Sequence, residues 1–138
     1  MDFSGQTLTC RLLEDGIAEL CFDRQGESIN KFDQATLDEL SKVLDALEAE
    51  RALRGVLISS GKSTFIVGAD IAAFQQVFAQ PTHQVVGWVQ QAQQLFNRIE
   101  DLPCPTVAAV NGYALGGGLE LAMTATWRVL AQEAVVGQ

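Results

Sequence analysis

The sequence predicts an α/β domain, because short apolar runs bounded by turn residues alternate with amphipathic helical stretches along its 138 residues. Two further observations support that class. An apolar content of 48% is sufficient for a buried core. No charged linker, low-complexity stretch or internal repeat divides the chain, so residues 1–138 read as one unit.

Leu8 to Leu13 and Ile17 to Phe22 are apolar runs separated by the turn signal Glu14-Asp15-Gly16, which predicts an antiparallel hairpin. A polar loop follows, from Asp23 to about Phe32. Asp33 suits an N-cap, and Leu37, Leu40, Leu44 and Leu47 recur at three- and four-residue spacing, so the next element is a helix with its apolar stripe on a sheet. Gly55-Val56-Leu57-Ile58-Ser59 is a short apolar strand of the kind buried on both faces. After the loop from Ser60 to Gly68, a short helix is predicted from Asp70 to Phe78. Pro81-Thr82 opens a longer one with Val85, Val89, Ala92, Leu95, Phe96 and Ile99 on one face, and Pro103-Cys104-Pro105 stops it. Thr106 to Val110 reads as a third buried strand and Asn111-Gly112 as a turn. Leu115 to Gly118 is a glycine-rich bend, Leu119 to Thr126 a helix, and Trp127 to Ala131 the next strand. Such alternation implies parallel pairing with right-handed crossovers.

Charge and cysteine content narrow the function classes. Nine Lys and Arg against 17 Asp and Glu give a net charge of −8, which argues against a nucleic-acid surface or an anionic-membrane footprint. An acid at Asp2 and the lack of any apolar run near the ~18 residues of a membrane span lead to the expectation of a cytoplasmic protein. Cys10, Cys21 and Cys104 form no C-x-x-C pair and no cluster with His83, so free thiols are expected and no metal site. His83 is assigned no chemistry. Trp88 and Trp127 read as core or interface aromatics rather than ligand platforms.

Two glycine-marked helix starts can carry chemistry. Gly116-Gly117-Gly118 lies between a buried strand and a helix beginning near Glu120, and is open to two readings. It is a structural turn, or a place where the backbone approaches a ligand and helix-start N–H groups favour negative charge. The spacing G-x-x-x-G-G-G fits neither the dinucleotide fingerprint nor the phosphate-binding loop. In Phe65-Ile66-Val67-Gly68-Ala69-Asp70-Ile71 a glycine turn with Asp70 as N-cap is an adequate account, yet this second helix start could supply a convergent donor. Glu120 is either an acid stabilised by the helix dipole or a catalytic carboxyl.

Gly68-Ala69-Asp70-Ile71, Pro105 to Gly112 and Ala114 to Leu121 together resemble the enoyl-CoA hydratase (crotonase) family in order and spacing. Leu13 to Leu20, Asn30-Lys31, Phe65 to Ile71 and Phe96 to Pro103 resemble its branch formed by the amino-terminal domains of bacterial fatty acid oxidation α subunits. The resemblance covers nearly the whole chain. It implies a crotonase-like spiral of strand-strand-helix units, of which these residues are the N-terminal half.

For mechanism the resemblance implies hydration of trans-2-enoyl-CoA to 3-hydroxyacyl-CoA in fatty acid β-oxidation, with double-bond isomerisation as a companion activity. The backbone N–H groups of Ala69 and Gly117 would hold the thioester oxygen, and Glu120 would be the first of two catalytic glutamates. The second would fall two positions beyond Gln138. Gly68, Ala69, Asp70 and Asn30 would lie along the coenzyme A moiety. Hydration itself needs no cofactor, and NAD would serve only a following dehydrogenase domain. A thiolase β subunit and self-association are the implied partners.

Two departures stand out. Relatives often carry a basic residue shortly after G-A-D-I, where this chain has Ala72, Ala73 and Phe74, and they commonly carry Asp at the position of Thr126. The fold also hosts isomerases, decarboxylases, dehalogenases and thioester hydrolases. A non-catalytic binding or assembly module is the alternative from a different class.

Overall fold

A computed structural model describes residues 2–69 and 71–138. The main sheet has the order β1-β2-β3-β4-β5-β7, formed by Phe3–Ser4, Leu8–Leu12, Ile17–Phe22, Gly55–Ser60, Thr106–Val110 and Trp127–Leu130. A small second sheet pairs β6, Ala114–Leu115, with β8, Val136–Gly137. The helices are α1 Gln34–Ala49, α2 Ile71–Phe78, α3 Thr82–Glu100 and α4 Gly117–Thr124.

The predicted hairpin is present. β2 and β3 run antiparallel, with Leu8 opposite Phe22 and Leu12 opposite Ala18. Asp15 takes φ 61° and Gly16 φ 78°, left-handed backbone that Asp and Gly tolerate best. From β3 onward the main sheet is parallel, β3 to β4, β4 to β5 and β5 to β7. The second sheet repeats this beside it, with Ile66 bridging Ala114 and Ala114 pairing with Val136, both parallel. Strand, second strand and helix thus recur along the chain.

Asp33 caps α1 as predicted, its carboxylate accepting from Thr36 N at 3.0 Å. Leu37, Leu40, Val43, Leu44 and Leu47 bury one face of α1 against Leu8, Cys10, Leu20, Phe22 and Ile58 of the sheet. At roughly 1.5–3 kcal/mol for each such side chain, this layer is the main source of stability. Leu95, Phe96 and Ile99 of α3 and Leu121 and Ala122 of α4 complete the core.

Two expectations are corrected. β4 and β5 are not buried on both faces: Val56, Ile58 and Ala108 are covered, whereas Leu57 and Val107 on the other face are half-buried. The reason is that the core lies on one side of the sheet, with α1, α3 and α4. α4 begins at Gly117 and ends at Thr124 rather than running from Leu119 to Thr126. Glycine is a poor helix former, but here Gly116 turns the chain at φ 53° and the helix follows at once. Of the two tryptophans read as core or interface aromatics, Trp88 packs partly buried against the core, and Trp127 is 67% exposed on the edge strand β7, which leaves it the interface reading.

Thr126 has a local partner where relatives carry Asp. Its hydroxyl accepts from Thr106 N at 3.0 Å and its own N–H donates to Thr106 Oγ1 at 2.9 Å, a reciprocal tie from the end of α4 to the start of β5. Arg128 Nη1 donates to Ala125 O at 2.9 Å and faces the last carbonyls of α4, which a cation stabilises. The three cysteines are free, and burial pushes the Cys10 thiol up to about 11.

Candidate functional site

Two chain segments meet at one end of the sheet. In the first, Phe65 to Ala69 runs extended out of the loop after β4, and Gly68 turns it at φ 92°. In the second, β5 leads through Gly112 and β6 into Gly116, Gly117 and α4. A Cβ on Gly68 would stand 3.1 Å from Leu115 O and 3.7 Å from Gly117 N, so the two backbones are in contact. Gly68 therefore serves a close approach as well as a turn, and Gly116, at φ 53°, makes the turn on the other segment.

That approach gathers two peptide N–H groups. The Gly117 amide is the first of α4, and such an amide has no acceptor within its own helix. The Ala69 amide donates to no described residue. Both residues line one cavity of about 300 Å³. Its wall is apolar and aromatic, formed by Phe32, Phe74, Trp88, Ala92 and Phe96. The rings pack edge to face, Phe32 against Phe96 at 5.4 Å and Phe74 against Trp88 at 6.5 Å between centroids.

Glu120 lines the same cavity and is its one ionisable side chain among the described residues. It sits in the first turn of α4 with its side chain exposed. One carboxylate, two amides with no acceptor among the described residues and an apolar trough can bind a carbonyl compound with an apolar tail, polarise the carbonyl and move a proton beside it.

Of the residues singled out in sequence, Ala69, Gly117 and Glu120 come together on this cavity, and Gly68 shapes the backbone beside it. Asp70 lies outside the described residues. Asn30 does not line the cavity. It is 2% exposed, with Oδ1 accepting from Arg24 N at 3.0 Å and Nδ2 donating to Phe22 O, Ser60 Oγ and Phe65 O at 2.9, 2.9 and 3.0 Å. Its amide is committed to the protein. The aromatic wall was not foreseen from sequence, although the stripe of α3 carries the signal: Trp88, Ala92 and Phe96 follow at four-residue spacing along it.

Next to this site Arg24 forms a fork with Asp33 and also meets Glu27 and Thr36. Burial raises the Asp33 carboxyl, but hydrogen bonds from Arg24 and Thr36 outweigh it and hold the group below its usual range. The fork fixes the chain entering α1 directly after Phe32.

A parallel spiral of strand, strand and helix with a cavity at converging helix starts is the fold of enoyl-CoA hydratases. Against the solved enoyl-CoA hydratase of Bacillus anthracis the TM-score is 0.82 at 26% identity, over 95% of this chain and 50% of that one. Against an enoyl-CoA hydratase/isomerase of Xanthobacter autotrophicus it is 0.88 at 25% identity, over 97% and 49%. The family model for enoyl-CoA hydratase/isomerase matches residues 13–138, and the chain belongs to that family. Among curated relatives, the fatty acid oxidation complex subunit alpha of Pseudomonas putida is 48% identical over 137 residues. That of Acinetobacter baumannii is 47% identical over the same length. The alignment takes in 99% of this chain and 19% of either relative's length.

Proposed function

We propose that residues 1–138 are part of an enoyl-CoA hydratase/isomerase domain that hydrates trans-2-enoyl-CoA to 3-hydroxyacyl-CoA in fatty acid β-oxidation. The observation that carries the reading is the convergence of Ala69, Gly117 and Glu120 on one apolar cavity. Water adds its oxygen to C3 and a proton is delivered to C2, and between those events negative charge gathers on the thioester oxygen. The Ala69 and Gly117 N–H groups face the place where that charge develops. Each such donor is worth roughly 10²–10³ in rate.

Glu120 takes or gives a proton at the reacting carbons, and a second carboxyl from outside these residues completes the pair. Moving one proton along the acyl chain without water would give double-bond isomerisation. The acyl tail lies along Phe32, Phe74 and Phe96, whose rings exclude water. Gly68 and Ala69 serve the coenzyme A end, a role that Asp70 would share by its place in the family motif, while Asn30 enters as a brace of the site. Hydration uses no cofactor. NAD and a thiolase β subunit belong to the longer assembly that the α-subunit relatives suggest, as do a cytoplasmic setting and self-association.

The test is the loss of crotonyl-CoA absorbance with the full-length gene product and its Glu120→Gln variant. Turnover that Glu120→Gln abolishes is the expected result. A wild-type protein that binds crotonyl-CoA without hydrating it overturns the hydratase reading in favour of another acyl-CoA reaction or a binding module.

A further inference from the structure

Asn30, which lies outside the cavity, is connected to both amides that face it. A peptide unit is planar and trans, so its C=O and N–H point in opposite directions. The carbonyl of the unit joining Gly68 to Ala69 accepts the Phe32 N–H at 2.8 Å. Holding that carbonyl directs the Ala69 N–H the other way, into the cavity that Ala69 lines. In the unit joining Gly116 to Gly117, the carbonyl accepts the Glu120 N–H at 3.0 Å, and the Gly117 N–H is turned outward from the helix.

The strap Asn30 to Phe32 runs alongside Phe65 to Gly68 through three bonds. Asn30 Nδ2 donates to Phe65 O at 3.0 Å, Val67 N donates to Asn30 O at 3.1 Å, and Phe32 N donates to Gly68 O at 2.8 Å. The same Asn30 amide reaches Phe22 O and Ser60 Oγ, the last residues of β3 and β4. The strap is thereby fastened to the rigid sheet. On its other side the Phe32 ring packs beside Gly117, where an added Cβ would stand 3.2 Å from Phe32 Cδ2.

We propose that Asn30 is the positioning residue of the two-amide site, setting through Phe32 the direction of the Ala69 N–H and its spacing from Gly117. The proposal rests on the hydratase reading above. It makes Asn30 a residue whose loss appears in kcat rather than in KM, since the amides act most strongly on charge formed in the transition state.

The experiment uses the full-length gene product and its Asn30→Ser and Ser60→Ala variants. It records kcat and KM for crotonyl-CoA, thermal melting, and the infrared stretch of the bound thioester carbonyl. Asn30→Ser is expected to lower kcat about tenfold, less than loss of a whole donor, with KM within about twofold. The bound carbonyl stretch moves back toward its frequency in water. Ser60→Ala, a milder change, moves both in the same direction by less and covers the case in which Asn30→Ser fails to fold. Folded variants that keep the parent's carbonyl stretch, or lose kcat only in proportion to the unfolded fraction, overturn the positioning role alone. A parent that neither hydrates crotonyl-CoA nor shifts its carbonyl overturns the hydratase reading, and this proposal with it.

Discussion

Gly117 and Phe32 stand so close that a Cβ added at 117 would lie 3.2 Å from Phe32 Cδ2 and 3.5 Å from Cε2. One residue further on, a Cβ at Gly118 would overlap the Ile66 carbonyl oxygen itself. Adjacent glycines are thus required for different reasons. A ring can give by a few tenths of an ångström, whereas a carbonyl in a β-bridged segment cannot. Gly117→Ala is expected to keep a cooperative melt and to lose turnover by about tenfold or more. Gly118→Ala is expected to cost about 3 kcal/mol of stability. Circular dichroism melting beside crotonyl-CoA hydration separates the two, and the reverse pattern would refute the assignment of roles.

Glu120 is exposed, and its side chain makes no hydrogen bond to a described residue. Glu120→Gln should then leave the melting curve close to that of the parent, within about 0.5 kcal/mol. If the carboxyl carries the proton, kcat falls by roughly 10²–10⁴ while crotonyl-CoA still binds. Retained turnover would return Glu120 to the lesser role of an acid that complements the α4 dipole.

Much of this arrangement was legible in the sequence, and what was not has physical causes. The hairpin, the Asp33 cap and the stripe of α1 follow from turn chemistry and periodicity, which act locally. Local rules marked the two glycine helix starts and Glu120 as open to chemistry, but only the family resemblance chose Ala69, Gly117 and Glu120 as a set, because no local rule says that the glycine turns at 68 and 116 will touch. Asn30 was placed on the ligand by the same route. Its partners Phe22, Ser60 and Phe65 are brought together only by the sheet, so its bracing role had no signature along the chain. The exposure of Trp127 depends on which face of the sheet the helices cover, and apolar runs do not specify that.

Acid should weaken the fold through Glu39. Burial raises its carboxyl, but hydrogen bonds from the Thr7 hydroxyl and from the N–H groups of Gln6, Thr7 and Leu8 outweigh that and hold it below the usual range. A group depressed in the folded state contributes stability that is complete above its unfolded value, about 4.3, and is lost as pH falls through the lower folded value. Asp33, held down by Arg24, acts in the same direction. Urea midpoints should be level from pH 7 to about 5 and drop below about 4.5, and Glu39→Gln should flatten part of that drop. A midpoint that rises on acidification would contradict this account.

The outer face of the sheet predicts self-association. Side chains at paired positions of a parallel ladder point the same way, and Leu57 pairs with Val107, Val107 with Trp127, and Ala109 with Val129. These residues lie opposite the covered set of Val56, Ile58 and Ala108, and they form an apolar strip that ends at Trp127 and Val129, 67% and 63% exposed. Among the described residues β7 is also one of the two edge strands of the main sheet, so its backbone edge and its apolar face are open together. Sedimentation velocity on the 138-residue chain should show association that grows with concentration. Trp127→Lys with Val129→Lys should weaken it, because charges on an edge strand resist pairing and carry a desolvation cost. A monodisperse monomer at every concentration would remove the prediction, and association that survives both lysines would move the contact to another face of the molecule.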